Sequence, residues 1–175
     1  MTPKMPAPPS VLLVTDTSVL VNFLRIDRMD LIRDLSPQFL VTDHAAGEIT
    51  DVYLDQLARF EAAVAAGCCE VCRVEDDAAL EMFGQLTGTQ RLGIGESATI
   101  AHAISIGAGL ALDDRRAANE ARRINGGLVV LGTVDLTVQM IVEGLLSVEE
   151  ADAIKDDWAA NHRFRLKIAS FGDLL

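Results

Sequence analysis

Acidic residues stand where apolar, strand-like segments end or where helices begin: Asp16 in VTDTSVLVNFL, Glu48 in HAAGEI, Glu96 in GIGESATIAHA, and the pair Asp113 and Asp114 in GLALDDRRA. A carboxylate just past the end of a parallel strand points into the crevice where open α/β sheets place their ligands. Carboxylates converging there offer the oxygen ligands that Mg²⁺ and Mn²⁺ take. Two such ions about 3.5–4 Å apart activate a water, hold a scissile phosphate and stabilise the leaving oxygen. Each acid alone has a plainer account. Asp16 reads as an N-cap, Glu48 as a surface helix acid, Glu96 as an acid near a helix dipole, and Asp113 and Asp114 as caps of an Arg-rich helix. The combination points to a metal centre.

The elements that must position these acids follow from pattern and punctuation. Apolar, partly β-branched runs predict buried strands over Ser10–Thr15, Gln38–Thr42, Gly109–Leu112 and Leu128–Leu131, with CCEVCRV as a short or edge strand. Helical spacing predicts Val19–Arg25 behind Thr17 and Ser18 as caps, then Met29–Leu35, and Val52–Ala66 stopped by Gly67. Asp43 is expected to cap a helix that carries Glu48 on its first or second turn. Further helices are expected over Asp76–Leu86, over Glu96–Ile106 with Gly95 permitting a tight start, and over Arg115–Asn125 with Asn125-Gly126-Gly127 as a left-handed stop. Thr133 is expected to cap Val134–Glu143, and Ser147 with Glu150 forms a capping box for Ser147–Ala160. Strands alternating with helices argue for a parallel sheet covered on both faces. Gly93, Gly95 and Ala98 mimic a dinucleotide fingerprint, but a polar loop, Thr87–Arg91, precedes them where that motif requires a strand.

Composition bounds the rest. The chain has 175 residues, a length that suits one domain over 11–175 with C-terminal helices, after a Pro-rich N-terminal arm at 1–10. The apolar run at Val11–Val14 is too short for a secretory h-region, and nowhere do about 20 apolar residues run together, so a cytoplasmic protein without a membrane span is expected. Cys68, Cys69 and Cys72 crowd one segment while His44, His102 and His162 are scattered, which favours structural thiols over zinc. Lys plus Arg is 15 against 26 Asp plus Glu, a net charge of -11, which argues against a passive nucleic-acid binder. Arg115, Arg116, Arg122 and Arg123 form either a solvated helix face or a phosphate-contacting stripe.

Together, VTDTSVLVNFL with Asp16, Ser18 and Asn22, the Glu48 helix, GESATIAHA with Glu96, LALDDRRA with Asp113 and Asp114, and the VVLGT strand end resemble the PIN-domain nucleases, which include VapC-type toxins of toxin-antitoxin modules. The resemblance spans Val11 to about Leu146. It implies a three-layer α/β/α fold with a central, mainly parallel sheet, and a Mg²⁺- or Mn²⁺-dependent endoribonuclease. It implies that Asp16, Glu48, Glu96 and Asp114 form the catalytic set, that Asp113 shares or replaces the metal role of Asp114, and that Thr17 or Ser18 assists at Asp16. Asn22, Thr133, Arg115, Arg116 and Arg122 would contact RNA. Homodimerisation and a small antitoxin offering Arg or Lys to the cleft are implied as well. The third acid is Glu where many members carry Asp, and Leu112 stands at a position where the family carries a hydroxyl. The alternative is a catalytically inactive PIN-like nucleic-acid-binding or scaffold protein. A haloacid-dehalogenase-like phosphatase would need an acid where Ser18 stands, and a receiver domain would need its acidic pair at the first strand.

Overall fold

The computed structural model describes residues 11–50, 55–89 and 91–175. The expected arm at 1–10 and the start of the expected helix at 52–54 lie outside the described residues. Five strands form one all-parallel sheet: β1 (Leu12–Thr15), β2 (Gln38–Thr42), β3 (Glu70–Cys72), β4 (Gly109–Ala111) and β5 (Val130–Leu131), in the order β3-β2-β1-β4-β5. β1 is central, and Val14 pairs with Leu40 on one side and Leu110 on the other.

Successive side chains of a strand face opposite sides of the sheet, and the core divides accordingly. Leu13 faces one layer, where it joins Leu20 and Phe23 of α1 (Thr17–Arg25), Leu136 and Met140 of α8 (Thr133–Val142), and Trp158 of α9 (Val148–Asn161). Val14 faces the other, with Ile100 and Ala101 of α6 (Ile94–Ile106) and Ala117 and Ala121 of α7 (Arg115–Ile124). Helices therefore cover both faces, giving the expected three-layer α/β/α fold. Gly109 of β4 is the register partner of Leu13 of β1, and a Cβ at Gly109 would stand 2.7 Å from the Leu13 side chain. The remaining helices are α2 (Met29–Asp34), α3 (Asp43–Ala46), α4 (Gln56–Ala65), which Gly67 follows with a φ of 73°, and α5 (Asp77–Gly88). A short 3₁₀ turn, Phe171–Leu174, closes the chain.

Several helix ends differ from expectation for local reasons. Asp43 is not the cap of α3; the Thr42 hydroxyl accepts from the Ala45 N–H at 3.2 Å, and Asp43 is the first helical residue. α6 begins at Ile94, so Gly95 lies inside its first turn and makes no bend before it. Gly126 and Gly127 provide no left-handed stop: Asn125 leaves α7 in extended conformation, and its side-chain oxygen accepts from the Gly127 N–H at 3.1 Å. Thr133 is the first residue of α8, and Gly132 occupies the cap position. The Ser147–Glu150 capping box forms as expected.

Cys68 and Cys69 are buried in the core, and burial pushes the Cys69 thiol up to about 12. Among the described residues, no helix is long and apolar enough to cross a membrane.

Candidate metal centre

β1 ends at Thr15, and the next residue turns into α1 with extended backbone angles. That residue, Asp16, caps α1 by accepting from the Ser18 N–H through Oδ2 at 3.1 Å. Its N–H donates to the Ala111 carbonyl at 2.9 Å, so the sheet ladder fixes its backbone. Asp16 is 3% exposed, and its Oδ1 is buried with no hydrogen-bond partner. A buried, unsatisfied carboxylate oxygen costs free energy unless a proton or a cation meets it.

Glu48 follows α3 and reaches across to the start of α6. Its Oε1 accepts from the Gly95 N–H at 2.9 Å, and its Oε2 from the Thr17 hydroxyl at 3.4 Å. A Cβ at position 95 would lie 2.6 Å from Oε1, so the contact depends on glycine. Glu96, in the first turn of α6, accepts from the Gly93 N–H at 2.8 Å. Burial raises its pKa, the Gly93 N–H opposes that rise, and the charges of Asp16 and Asp114 add to it, while Arg116 pulls it down. These charges act on one another across the mouth of the sheet.

The Asp pair splits in two directions. Asp114 is exposed and caps α7 through the Ala117 N–H at 2.8 Å. Asp113 turns toward α8, where Oδ1 accepts from the Thr133 N–H at 2.7 Å and Oδ2 from the Thr133 hydroxyl at 2.6 Å. Asn22 Nδ2 donates to the same Oδ2 at 3.1 Å and to the Thr133 hydroxyl oxygen at 3.0 Å. The Asp113 N–H donates to Ser18 Oγ at 3.4 Å. Burial raises the Asp113 pKa, and the two Thr133 donors oppose it.

An open groove of about 570 Å³ joins Asp16, Thr17, Ser18, Asn22, Glu48 and Glu96, with Arg25 and Arg116 at its wall. It lies at the carboxyl ends of the strands, at the point where the sheet order turns outward from β1. A family model described as a PIN domain matches residues 12–174. The chain belongs to the PIN-domain family. No protein in the curated set matches it.

The PIN domain is a nuclease-type fold. The structure gathers Asp16, Thr17, Ser18, Asn22, Glu48, Glu96 and Arg116 around the open groove. Asp113, Arg115 and Arg122 instead line a second groove of about 570 Å³ between α7 and the start of α8. The four arginines of α7 do not form one stripe. Arg115 and Arg122, seven residues apart, share one helix face, whereas Arg116 looks into the Asp16 groove and Arg123 is ion-paired to Glu120 at 2.6 Å. Among the described residues, no three His, Cys, Asp or Glu side chains gather closely enough to hold a metal ion as they stand. Glu48, Glu96 and Asp114 each spend an oxygen on a backbone N–H.

Sequence reasoning did not single out Arg25, which lines the PIN groove and donates to the His162 carbonyl at 3.2 Å. Its spacing from Ser18 and Asn22, i, i+4 and i+7 on α1, was the available signal. The Gly95–Glu48 contact had no such signal, because it joins residues 47 apart.

Proposed function

We propose that this PIN domain is a Mg²⁺- or Mn²⁺-dependent endoribonuclease. The observation that carries the reading is the buried, unpartnered Oδ1 of Asp16 at the floor of a groove walled by Glu48 and Glu96. The donor set is all carboxylate oxygen, which suits hard divalent cations. Asp16, Glu96 and Asp114 would hold the metal, with Asp113 as an alternative ligand and Glu48 completing the catalytic acids. A bound divalent cation would supply charge neutralisation at the scissile phosphate and a lowered pKa for the attacking water. Everything else falls to the chain's own side chains.

Asp16 is held by the sheet ladder and the Ser18 N–H, which engage its backbone and Oδ2 and leave Oδ1 without a partner beside the groove. Glu48 is steered by Gly95 and Thr17. Burial raises the pKa of Glu96, and an arriving positive charge would stabilise its carboxylate form. Arg116, at the groove wall, offers its guanidinium to a phosphate oxygen. We extend the reading to Thr17, Ser18, Asn22 and Thr133 as groups that orient substrate or acids, and to Arg115 and Arg122 as phosphate contacts in the neighbouring groove. The acidic, open groove also suits inhibition by a small antitoxin offering Arg or Lys, in a cytoplasmic, homodimeric toxin.

The test joins binding and cleavage. Millimolar Mn²⁺ or Mg²⁺ should raise the melting temperature, by about 5–10 °C at a hundredfold excess over Kd, and Asp16→Asn should remove most of the rise. With metal, RNA should be cut to 5′-phosphate and 3′-hydroxyl products. Cleavage that persists in EDTA, or 2′,3′-cyclic ends, would contradict the mechanism.

A second reading has its own support. Glu48, Glu96 and Asp114 are engaged by backbone donors, and no metal-holding cluster is preformed among the described residues. A binding or scaffold protein that kept the fold and lost turnover would look this way. It predicts RNA binding without a metal-dependent thermal shift or cleavage.

A further inference from the structure

Beyond α9 the chain reads His162-Arg163-Phe164-Arg165-Leu166-Lys167-Ile168, and exposure alternates with it. Phe164, Leu166 and Ile168 are half-buried and pack on the core layer shared by α1, α8 and α9, while Arg163, Arg165 and Lys167 are exposed. The segment is fastened at both ends. At one end Arg25 holds the His162 carbonyl, the Phe164 N–H donates to the Trp158 carbonyl at 3.1 Å, and the Phe164 ring meets Trp158 edge-on at 5.4 Å. At the other, Lys155 donates to the Ala169 carbonyl at 2.7 Å, and Asp152 accepts from the Ser170 hydroxyl at 2.6 Å and the Phe171 N–H at 2.9 Å. With the apolar side chains held in the core, the cations have only solvent to face.

Three of the 15 Lys and Arg of a chain with net charge -11 thus lie within five residues. Among the described residues, none of the three enters an ion pair. The acids nearest in sequence are engaged elsewhere: Asp156 with Lys155, Asp157 with His162 and Asn161, Asp173 with the Ser170 N–H, and Asp152 with the Ser170 hydroxyl and the Phe171 N–H. Arg163 has a φ of 55°, an uncommon conformation for a side-chain-bearing residue, and it turns the chain out of α9.

We propose that Arg163, Arg165 and Lys167 form a phosphate-contacting stripe that holds the backbone of an RNA strand leading to the Asp16 groove. Arg25 joins the two, since it lines the groove and binds the carbonyl at which the segment begins. RNA is favoured over an acidic protein because the apolar side chains between the cations are turned into the core. Protein interfaces draw their affinity from buried apolar or aromatic anchors, whereas phosphate contacts need only charge. The inference rests on the nuclease reading of the groove, and it adds positive charge outside a groove whose acids are joined by only Arg25 and Arg116.

The test is binding of a single-stranded RNA oligonucleotide to full-length protein carrying Asp16→Asn, in EDTA, across a salt titration. It is compared with the same protein carrying Arg163→Asn, Arg165→Gln and Lys167→Gln; asparagine suits the left-handed backbone at 163. Removing three contacts should flatten the slope of log K against log salt by about 2, at about 0.7 per phosphate on a single strand. Affinity at low salt should fall at least about tenfold, and the melting temperature should not change. An unchanged slope, or no RNA binding before the substitutions, overturns the stripe. So does a loss confined to a polyglutamate probe with RNA binding intact. A flattened slope in a protein whose wild type never cleaves RNA supports the stripe and defeats the nuclease reading; metal-dependent cleavage with an unflattened slope does the reverse.

Discussion

Thr133 holds both oxygens of Asp113, donating its N–H to Oδ1 at 2.7 Å and its hydroxyl to Oδ2 at 2.6 Å. The contact ties the end of β4 to the first turn of α8, and Asn22 adds a third donor from α1. One carboxylate therefore fixes three elements around the groove. The acid also satisfies the buried Thr133 amide at the start of α8, where negative charge is favoured.

Asp113→Asn puts an NH₂ group where an acceptor stood, facing the donors of Thr133 and Asn22. Such a mismatch in a buried network costs about 1–3 kcal/mol. The melting temperature should fall by about 4–8 °C for a cost near 2 kcal/mol in a chain of this size. Thr133→Val, which keeps the N–H and the volume but removes the hydroxyl, should cost less than Asp113→Asn in the same denaturation series.

Gly95→Ala tests the steering of Glu48. The new methyl would stand 2.6 Å from Glu48 Oε1, and the flexible end of that side chain must swing away. Alanine in a first helical turn offsets part of the loss through its helix propensity, up to about 1 kcal/mol. Stability should change by less than about 1 kcal/mol, while cleavage should fall at least tenfold. Equal activity would remove Glu48 from the catalytic set.

The pH dependence of metal-free stability carries a sign. Burial raises the folded-state pKa of Glu96 and of Asp113, so the folded protein holds these protons more tightly than the unfolded chain. Their contribution is fully present below the ordinary carboxylate pKa and is lost as pH rises through the raised values. Glu96→Gln should therefore raise the metal-free melting temperature at pH 7, by about 1–2 °C given the solvent screening at a half-exposed group. The gain should shrink toward pH 4. Added Mn²⁺ should reverse the order, because the wild type then gains a ligand that the variant lacks.

Gly109→Ala probes the packing of β4 against its neighbour β1 within the sheet. Its Cβ would meet Leu13 at 2.7 Å and the Val129 carbonyl at 3.3 Å in the centre of the sheet. Overpacking of this kind costs about 1–3 kcal/mol. Chemical denaturation should show the loss without a change in the metal-dependent thermal shift.

The carboxylates, the strand ends that carry them and the layered architecture were legible in the sequence, because each depends on local signals. Val11–Thr15 and Gly109–Leu112 are apolar runs that stop at acids, and the Ser147–Glu150 box lies within four residues. What each carboxylate touches was not legible. Asp113 and Asp114 are neighbours with the same side chain, yet one is drawn into a network with Thr133 and Asn22 and the other caps α7. That outcome depends on where α8 begins in space, 20 residues later. Gly95 reads locally as a turn residue, and only the arrival of Glu48 from the end of α3, which packs on α6, makes its missing Cβ a requirement. The α7 arginines read as one run, but the helical period divides them between two grooves and a surface ion pair. In Arg163–Ile168 the alternation is visible in the sequence, while the surface it packs against is assembled from α1, α8 and α9. Local periodicity sets which residues can face together; long-range packing decides which partners they meet, because hydrogen-bond donors and bulky neighbours are brought in from segments remote in the chain.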